Sequence, residues 1–322
     1  MIFSRKIFRW CGLLICSFGL VLILPTACRK NIGSAILVQA GDISGELESG
    51  GMKRLFLLHP PTSQNKKLPL IIALHGGGGQ GKGIVKLTGL NDLADRNGFF
   101  VVYPDGVDRN WNDGRLTIRR KDVDDVKFIS DLIAYLVGKY SIDPQRVYVT
   151  GISNGGMMSY RLACELSDKV AAIAVVAASM PAIMPRNCNP SRAVPVIMFS
   201  GTDDPLMPFN GGEIGKVGGQ GLGGKVNSVK ETVDFWVKRN RTKLRPEITT
   251  LPDVDPKDGM TVSKKIYGAG QQKSEVVLYT INGGGHTWPG GTQYLPEKLI
   301  GKVTKDINGS ELIQAFLLRY AK

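Results

Sequence analysis

One stretch constrains this chain more than any other: Arg146-Val-Tyr-Val-Thr-Gly-Ile-Ser153-Asn-Gly-Gly-Met-Met. A short apolar strand runs into a glycine-flanked serine, and the pattern of an amphipathic helix starts at once. A serine in a G-x-S-x-G strand-to-helix turn is a nucleophile elbow, in which a tight turn lifts the hydroxyl clear of a sheet. Glycines flank it because a side chain there would collide with the adjacent strand and helix. A chain with 40 glycines meets this pattern by chance often enough that the surroundings must decide.

The surroundings read as strands alternating with helices. Residues 68–74 and 99–103 are short apolar runs that end in His75-Gly-Gly-Gly-Gly79 and Pro104-Asp105-Gly106. Residues 147–150, 170–178, 194–199 and 276–281 are similar, and 52–59 is a strand stopped by Pro60 and Pro61. Helical spacing of apolar residues recurs over 124–140, after Ser153 as far as Leu166, over 232–239 and over 311–320. Strands apolar on both faces, separated by helices, predict an α/β domain with a mostly parallel central sheet and helices on both faces. Residues 211–224 are rich in Gly and read as a flexible loop, with too few large apolar residues for a packed lid.

The first residues carry a different message. Arg5, Lys6 and Arg9 precede an apolar run from Cys11 to Leu24, and small residues follow up to Cys28. That is the pattern of an export signal over 1–28, too short for a comfortable transmembrane helix. Cys28 sits where a lipobox cysteine would be acylated, although Pro25 stands where such motifs usually carry Leu. Lipidation at Cys28 and simple secretion are both left open. A polar tether over 29–50 then leads into a catalytic domain over 51–322. Past the signal only Cys164 and Cys188 remain besides Cys28, and in an oxidising compartment these two can pair. The formal net charge of +13 is spread along the chain without a run of five like charges. A generally basic surface is the expectation, with no nucleic-acid partner and membrane contact only through an N-terminal lipid anchor.

Attack by a serine hydroxyl needs a base, an acid that orients the base, and N–H donors for the oxyanion. The chain has three histidines. His59 lies in a strand and His75 in front of a glycine run. His286 lies in Gly283-Gly-Gly-His286-Thr-Trp288-Pro-Gly290, a loop after the late strand 276–281, where a sheet enzyme keeps its base. Asp203 and Asp204 follow strand 194–199, and spacing alone does not choose between them. The Asn154 N–H is one oxyanion donor, and the glycines after His75 offer the second, with Gly77 preferred over Gly76 and Gly78. Gly76-x4-Gly81-Lys82-Gly83 approaches a phosphate-binding loop but has Gly83 where a hydroxyl should bind Mg²⁺, so nucleotide hydrolysis is set aside. No Cys/His cluster suggests a metal, and the chemistry requires no cofactor.

Taken in order, several motifs add up to a resemblance. They are Leu-His-Gly-Gly-Gly-Gly, Trp111-Asn112, Asp122-Val-Asp-Asp-Val126, Gly-Ile-Ser-Asn-Gly-Gly-Met-Met, Arg161-Leu-Ala-Cys-Glu165, Gly-Thr-Asp-Asp-Pro and Gly-Gly-Gly-His-Thr-Trp-Pro-Gly. From about Lys53 to the C-terminus the chain resembles the exported polyhydroxybutyrate depolymerase and feruloyl esterase family of α/β-hydrolases. The resemblance implies the α/β-hydrolase fold without a large lid domain, Ser153 as nucleophile, His286 as base and Asp204 rather than Asp203 as acid. It also implies a Cys164–Cys188 disulfide, and Trp111, Asn112 and Trp288 near the substrate crevice. Phe199-Ser200 departs from relatives that carry a His before Gly-Thr, a position outside the triad. The implied substrate is an ester of a hydroxyalkanoate oligomer or a phenolic or acetyl ester of plant cell wall. A peptidase on the same fold is disfavoured because no propeller or cap domain is visible. A non-catalytic surface lipoprotein is disfavoured by the intact Ser, Asp and His.

Overall fold

The computed structural model describes residues 41–62, 66–115, 122–215 and 223–322. The export signal, Cys28 and most of the predicted tether lie outside them. In chain order the elements begin with β1 (Ile43–Ser49), β2 (Met52–His59), β3 (Leu68–Leu74), α1 (Gly81–Thr88), α2 (Leu90–Asn97) and β4 (Phe100–Pro104). The middle of the chain gives α3 (Asp125–Lys139), β5 (Ile142–Ile152), α4 (Asn154–Glu165), β6 (Ala172–Val176) and β7 (Val196–Gly201). Then follow β8 (Gly212–Glu213), β9 (Lys225–Val226), α5 (Val229–Asn240), β10 (Glu247–Thr250), β11 (Thr261–Tyr267), β12 (Val276–Asn282), α6 (Glu297–Ile300) and α7 (Gly309–Leu317).

Ten of these strands form one sheet in the order β1-β2-β4-β3-β5-β6-β7-β12-β11-β10. The run from β4 to β12 is parallel, and antiparallel pairs close both edges. Strand alternation divides the core in two. Leu70, Ile72 and Leu74 of β3 and Val147 and Val149 of β5 pack with Phe128 and Leu132 of α3, Met157 and Leu162 of α4 and Trp236 of α5. Ile71, Ala73 and Tyr148 point the other way, onto Ile84 of α1, Leu93 of α2 and Phe316 and Leu317 of α7. Residues apolar at both parities are what a strand covered on two faces requires. The expected mostly parallel sheet with helices on both faces is therefore present, and the parallel strands present their carboxyl ends at one edge.

Two local expectations change. The tether predicted over 29–50 ends no later than Ile43, because β1 pairs with β2 from Ile43↔Leu58 to Ser49↔Met52. Its residues are mostly exposed, as an edge strand allows, which is why the stretch reads as polar linker. The glycine-rich stretch 211–224 contains β8, which pairs with β9 just beyond it as Gly212↔Val226 and Glu213↔Lys225, and its residues 216–222 lie outside the described residues. Asp124 caps α3 by accepting the Lys127 N–H at 2.8 Å. Asp125 is instead turned inward to Arg54 at 2.6 Å, with both side chains buried.

Candidate active site

Every predicted participant follows a parallel strand at its carboxyl end, where open α/β sheets put their ligands. Ser153 joins β5 to α4 with φ 57° and ψ −120°. A non-glycine residue holds such a backbone only where its surroundings impose it. The surroundings here are the Ser153 N–H bond to Val176 O at 3.0 Å and the absence of side chains at Gly151 and Gly155. A Cβ on Gly151 would lie 2.5 Å from the carbonyl of Gly155, and one on Gly155 would strike the carbonyls of Leu74 and His75. The elbow glycines are thus required by close approach of backbone to backbone. Asn154 opens α4, so the free N–H groups and positive end of that helix lie beside Ser153.

His286 follows β12 and is 3 % exposed. Its Nδ1 lies 2.7 Å from Asp204 Oδ2. The other carboxylate oxygen, Oδ1, accepts the N–H groups of Leu206 and Met207 at 2.8 and 2.7 Å. With Nδ1–H donating to the carboxylate, the imidazole presents Nε2 as an acceptor. Asp203 is exposed, and its Oδ1 accepts the Thr202 hydroxyl at 2.9 Å, so it makes no contact with the histidine. The two aspartates that spacing could not separate have different geometric roles.

The other histidines are engaged elsewhere. His75 accepts the Gly106 N–H on Nε2 at 3.0 Å and therefore donates from Nδ1 to Gly76 O at 2.8 Å. Burial pushes its pKa below the ordinary value, which suits this neutral form. His59 lies between Asp42 and Asp95, at 2.6 and 3.3 Å, on strand β2.

Ser153, Asn154, His286 and Gly76–Gly79 line one cleft of about 1090 Å³. Gly78 and Gly79 donate their N–H groups to Arg109 O and Gly76 O. The Gly77 N–H takes no acceptor from the described residues, and an added Cβ on Gly77 would lie 3.8 Å from Asn154 Cβ. Tyr294 also lines this cleft and donates its hydroxyl to His286 O at 2.8 Å.

The three residues expected at the crevice do not line it. Trp111 and Trp288 are buried, and their indole N–H groups donate to His75 O at 3.0 Å and Ser310 Oγ at 2.9 Å. Asn112 uses its backbone N–H on Asp125 and its side-chain amide on Val123 O. Trp288 ties the His286 loop to α7, whereas Trp111 and Asn112 hold the loop behind the cleft in place; an indole inside a protein needs both packing and a hydrogen-bond acceptor. Sequence reasoning missed what that loop surrounds. Asn154 accepts the Trp111 N–H at 2.8 Å and donates to Trp111 O at 3.0 Å and to Asp113 Oδ2 at 2.6 Å. Asp113 in turn holds Arg115. The available signal was the dense polar run Asn112-Asp-Gly-Arg115, of which only Asn112 was singled out from the sequence. Cys164 and Cys188 are joined as a disulfide, as the resemblance implied. Among the described residues no His, Cys, Asp and Glu group could hold a metal ion, and no helix is long and apolar enough to cross a membrane.

The same chain has relatives. Residues 54–183 match the family described as Esterase PHB depolymerase. The chain is 32% identical over 284 residues to "Putative esterase NocK" of Nocardia uniformis subsp. tsuyamanensis, covering 85% of this chain and 81% of that one. It is 31% identical over 230 residues to Feruloyl esterase B of Piromyces equi, across 69% of this chain but only 40% of the longer relative. A solved structure described as "Acetyl xylan esterase from Aspergillus awamori" superposes with a TM-score of 0.53 at 16% identity, over 76% of this chain and 94% of that one. That likeness places the chain in the α/β-hydrolase fold.

Proposed function

The chain belongs to the esterase PHB depolymerase family, and from that premise we propose a carboxylic ester hydrolase that works through Ser153, His286 and Asp204. The observation that carries the reading is the 2.7 Å contact of His286 Nδ1 with a buried Asp204, beside a cleft that the strained Ser153 also lines. His286 Nε2 takes the Ser153 proton as the hydroxyl oxygen attacks the ester carbonyl. Negative charge that develops on the carbonyl oxygen is met by the N–H groups of Asn154 and Gly77, aided by the N-terminal end of α4. The alcohol leaves with the proton from His286, and water then cleaves the acyl-enzyme by the reverse transfers. Asp204 stays ionised and holds the tautomer. No step requires a metal or organic cofactor.

The substrate is an ester of a hydroxyalkanoate oligomer or of a cell-wall phenolic or acetyl group. The family name supports the first, and the Piromyces relative's name supports the phenolic ester. The protein acts after export, with residues 1–28 as signal and Cys28 as the site of a lipid anchor if one is attached. The Cys164–Cys188 disulfide supports an oxidising compartment. Hydrolysis of p-nitrophenyl acetate by the wild type and its loss in Ser153→Ala tests the reading; equal rates in the two proteins would sink it. Mass measurement of the mature N-terminus tests lipidation at Cys28.

A further inference from the structure

Histidines aside, Arg115 is the one formally charged side chain lining the catalytic cleft among the described residues. It is 6 % exposed and Asp113 is fully buried. Arg115 Nε donates to both Asp113 oxygens at 2.9 Å, Nη2 lies 2.8 Å from Asp113 Oδ2, and Nη1 donates to Gly223 O at 2.6 Å. These contacts use Nε–H and one hydrogen on each terminal nitrogen. A guanidinium has five N–H donors, so one on Nη1 and one on Nη2 are left without an acceptor among the described residues.

Asp113 also accepts the Asn154 side-chain amide at 2.6 Å. The guanidinium is thereby linked to Asn154, the residue that follows Ser153, through the single side chain of Asp113. Among the described residues no carboxylate lines the cleft to neutralise or repel an incoming anion. A planar cation braced from behind, with donors still to place, matches a two-oxygen anion.

We propose that Arg115 selects esters that carry a free carboxylate near the scissile bond. This rests on the catalytic reading above and names the substrate class of the same cleft. An ester formed on the hydroxyl of a hydroxy acid whose own carboxyl is free has this charge. A phenolic acid esterified to a sugar lacks it. Pinning Gly223 to the loop is a structural role that Arg115 fills as well, so the test reads selectivity rather than activity alone.

The experiment compares kcat/KM within two matched pairs. Mono-p-nitrophenyl glutarate against p-nitrophenyl valerate puts the charge on the acyl side. O-acetylglycolate against O-acetylglycolamide puts it on the alcohol side. The wild type favours the anionic member of at least one pair by about tenfold, the scale of a charge-assisted hydrogen bond. The preference weakens at high salt, vanishes in Arg115→Gln and survives in part in Arg115→Lys. Ser153-dependent hydrolysis without preference in either pair, or a preference equal in wild type and Arg115→Gln, overturns the inference while the esterase stands. No hydrolysis of any of the four esters overturns both. If Arg115→Gln does not fold, the wild-type preference and its salt dependence decide.

Discussion

Asn154 Oδ1 accepts the backbone N–H of Trp111 at 2.8 Å, so the residue after the elbow serine also secures the loop behind the cleft. Its amide nitrogen completes the link through Trp111 O and Asp113. Asn154→Ala removes all three bonds and leaves the buried Asp113 carboxylate with one partner fewer. A loss of roughly 2–4 kcal/mol is expected, since buried polar groups left unpaired cost more than the bonds themselves contribute. A denaturant midpoint measures it, and an unchanged midpoint would contradict the latch.

The two adjacent aspartates separate cleanly by mutation. Asp204→Asn leaves the site's shape but gives His286 the wrong hydrogen-bond partner, and kcat falls by on the order of 10⁴. Asp203→Asn, on an exposed carboxylate with no contact to His286, changes kcat less than about twofold. Steady-state kinetics on one ester compares them directly.

His75 gives the fold an acid sensitivity with a definite sign. Burial lowers its pKa from 6.5, so the folded protein refuses a proton that the unfolded chain accepts. Stability from this residue is intact above about pH 6.5 and declines as the pH falls below it. His75→Asn, which does not titrate, loses less stability than the wild type between about pH 7 and pH 5. Thermal midpoints across that range give the comparison, and parallel curves would refute it.

The Cys164–Cys188 disulfide closes a segment with a sequence separation of 24. Replacing both cysteines with Ser loosens the unfolded chain and costs about 3 kcal/mol by the loop-entropy relation. The double variant's denaturant midpoint falls, and a reductant lowers the wild type's midpoint but not the variant's.

How much of this was legible depended on which physics left a pattern. Strand β3 and the Val147–Val149 part of β5 are apolar at both parities, and α3 keeps helical spacing with Asp124 at its cap, so the sheet's centre was readable. The edges were not. β10 is exposed at every position, and β1 owes its pairing to the neighbouring β2 rather than to its own composition. The short α1 begins Gly81-Lys-Gly83, composition that resembles a loop, and is held by its contact with β4. In the site, Ser153 and His286 were singled out because elbows and late-strand loops leave local signatures. The Asn154–Asp113–Arg115 chain joins residues about forty positions apart and no local pattern announces it. The tryptophans misled for a related reason: an indole that packs and one that stacks on substrate look identical in a sequence.

The central claim is that Ser153 is the nucleophile. Treatment with a fluorophosphonate probe, followed by mass spectrometry of the digested protein, tests it most directly. The account predicts one adduct per chain, on the peptide carrying Ser153, formed in step with loss of ester hydrolysis and absent in His286→Ala. Full inactivation with the adduct on another residue, or continued hydrolysis by a chain fully labelled at Ser153, would contradict it.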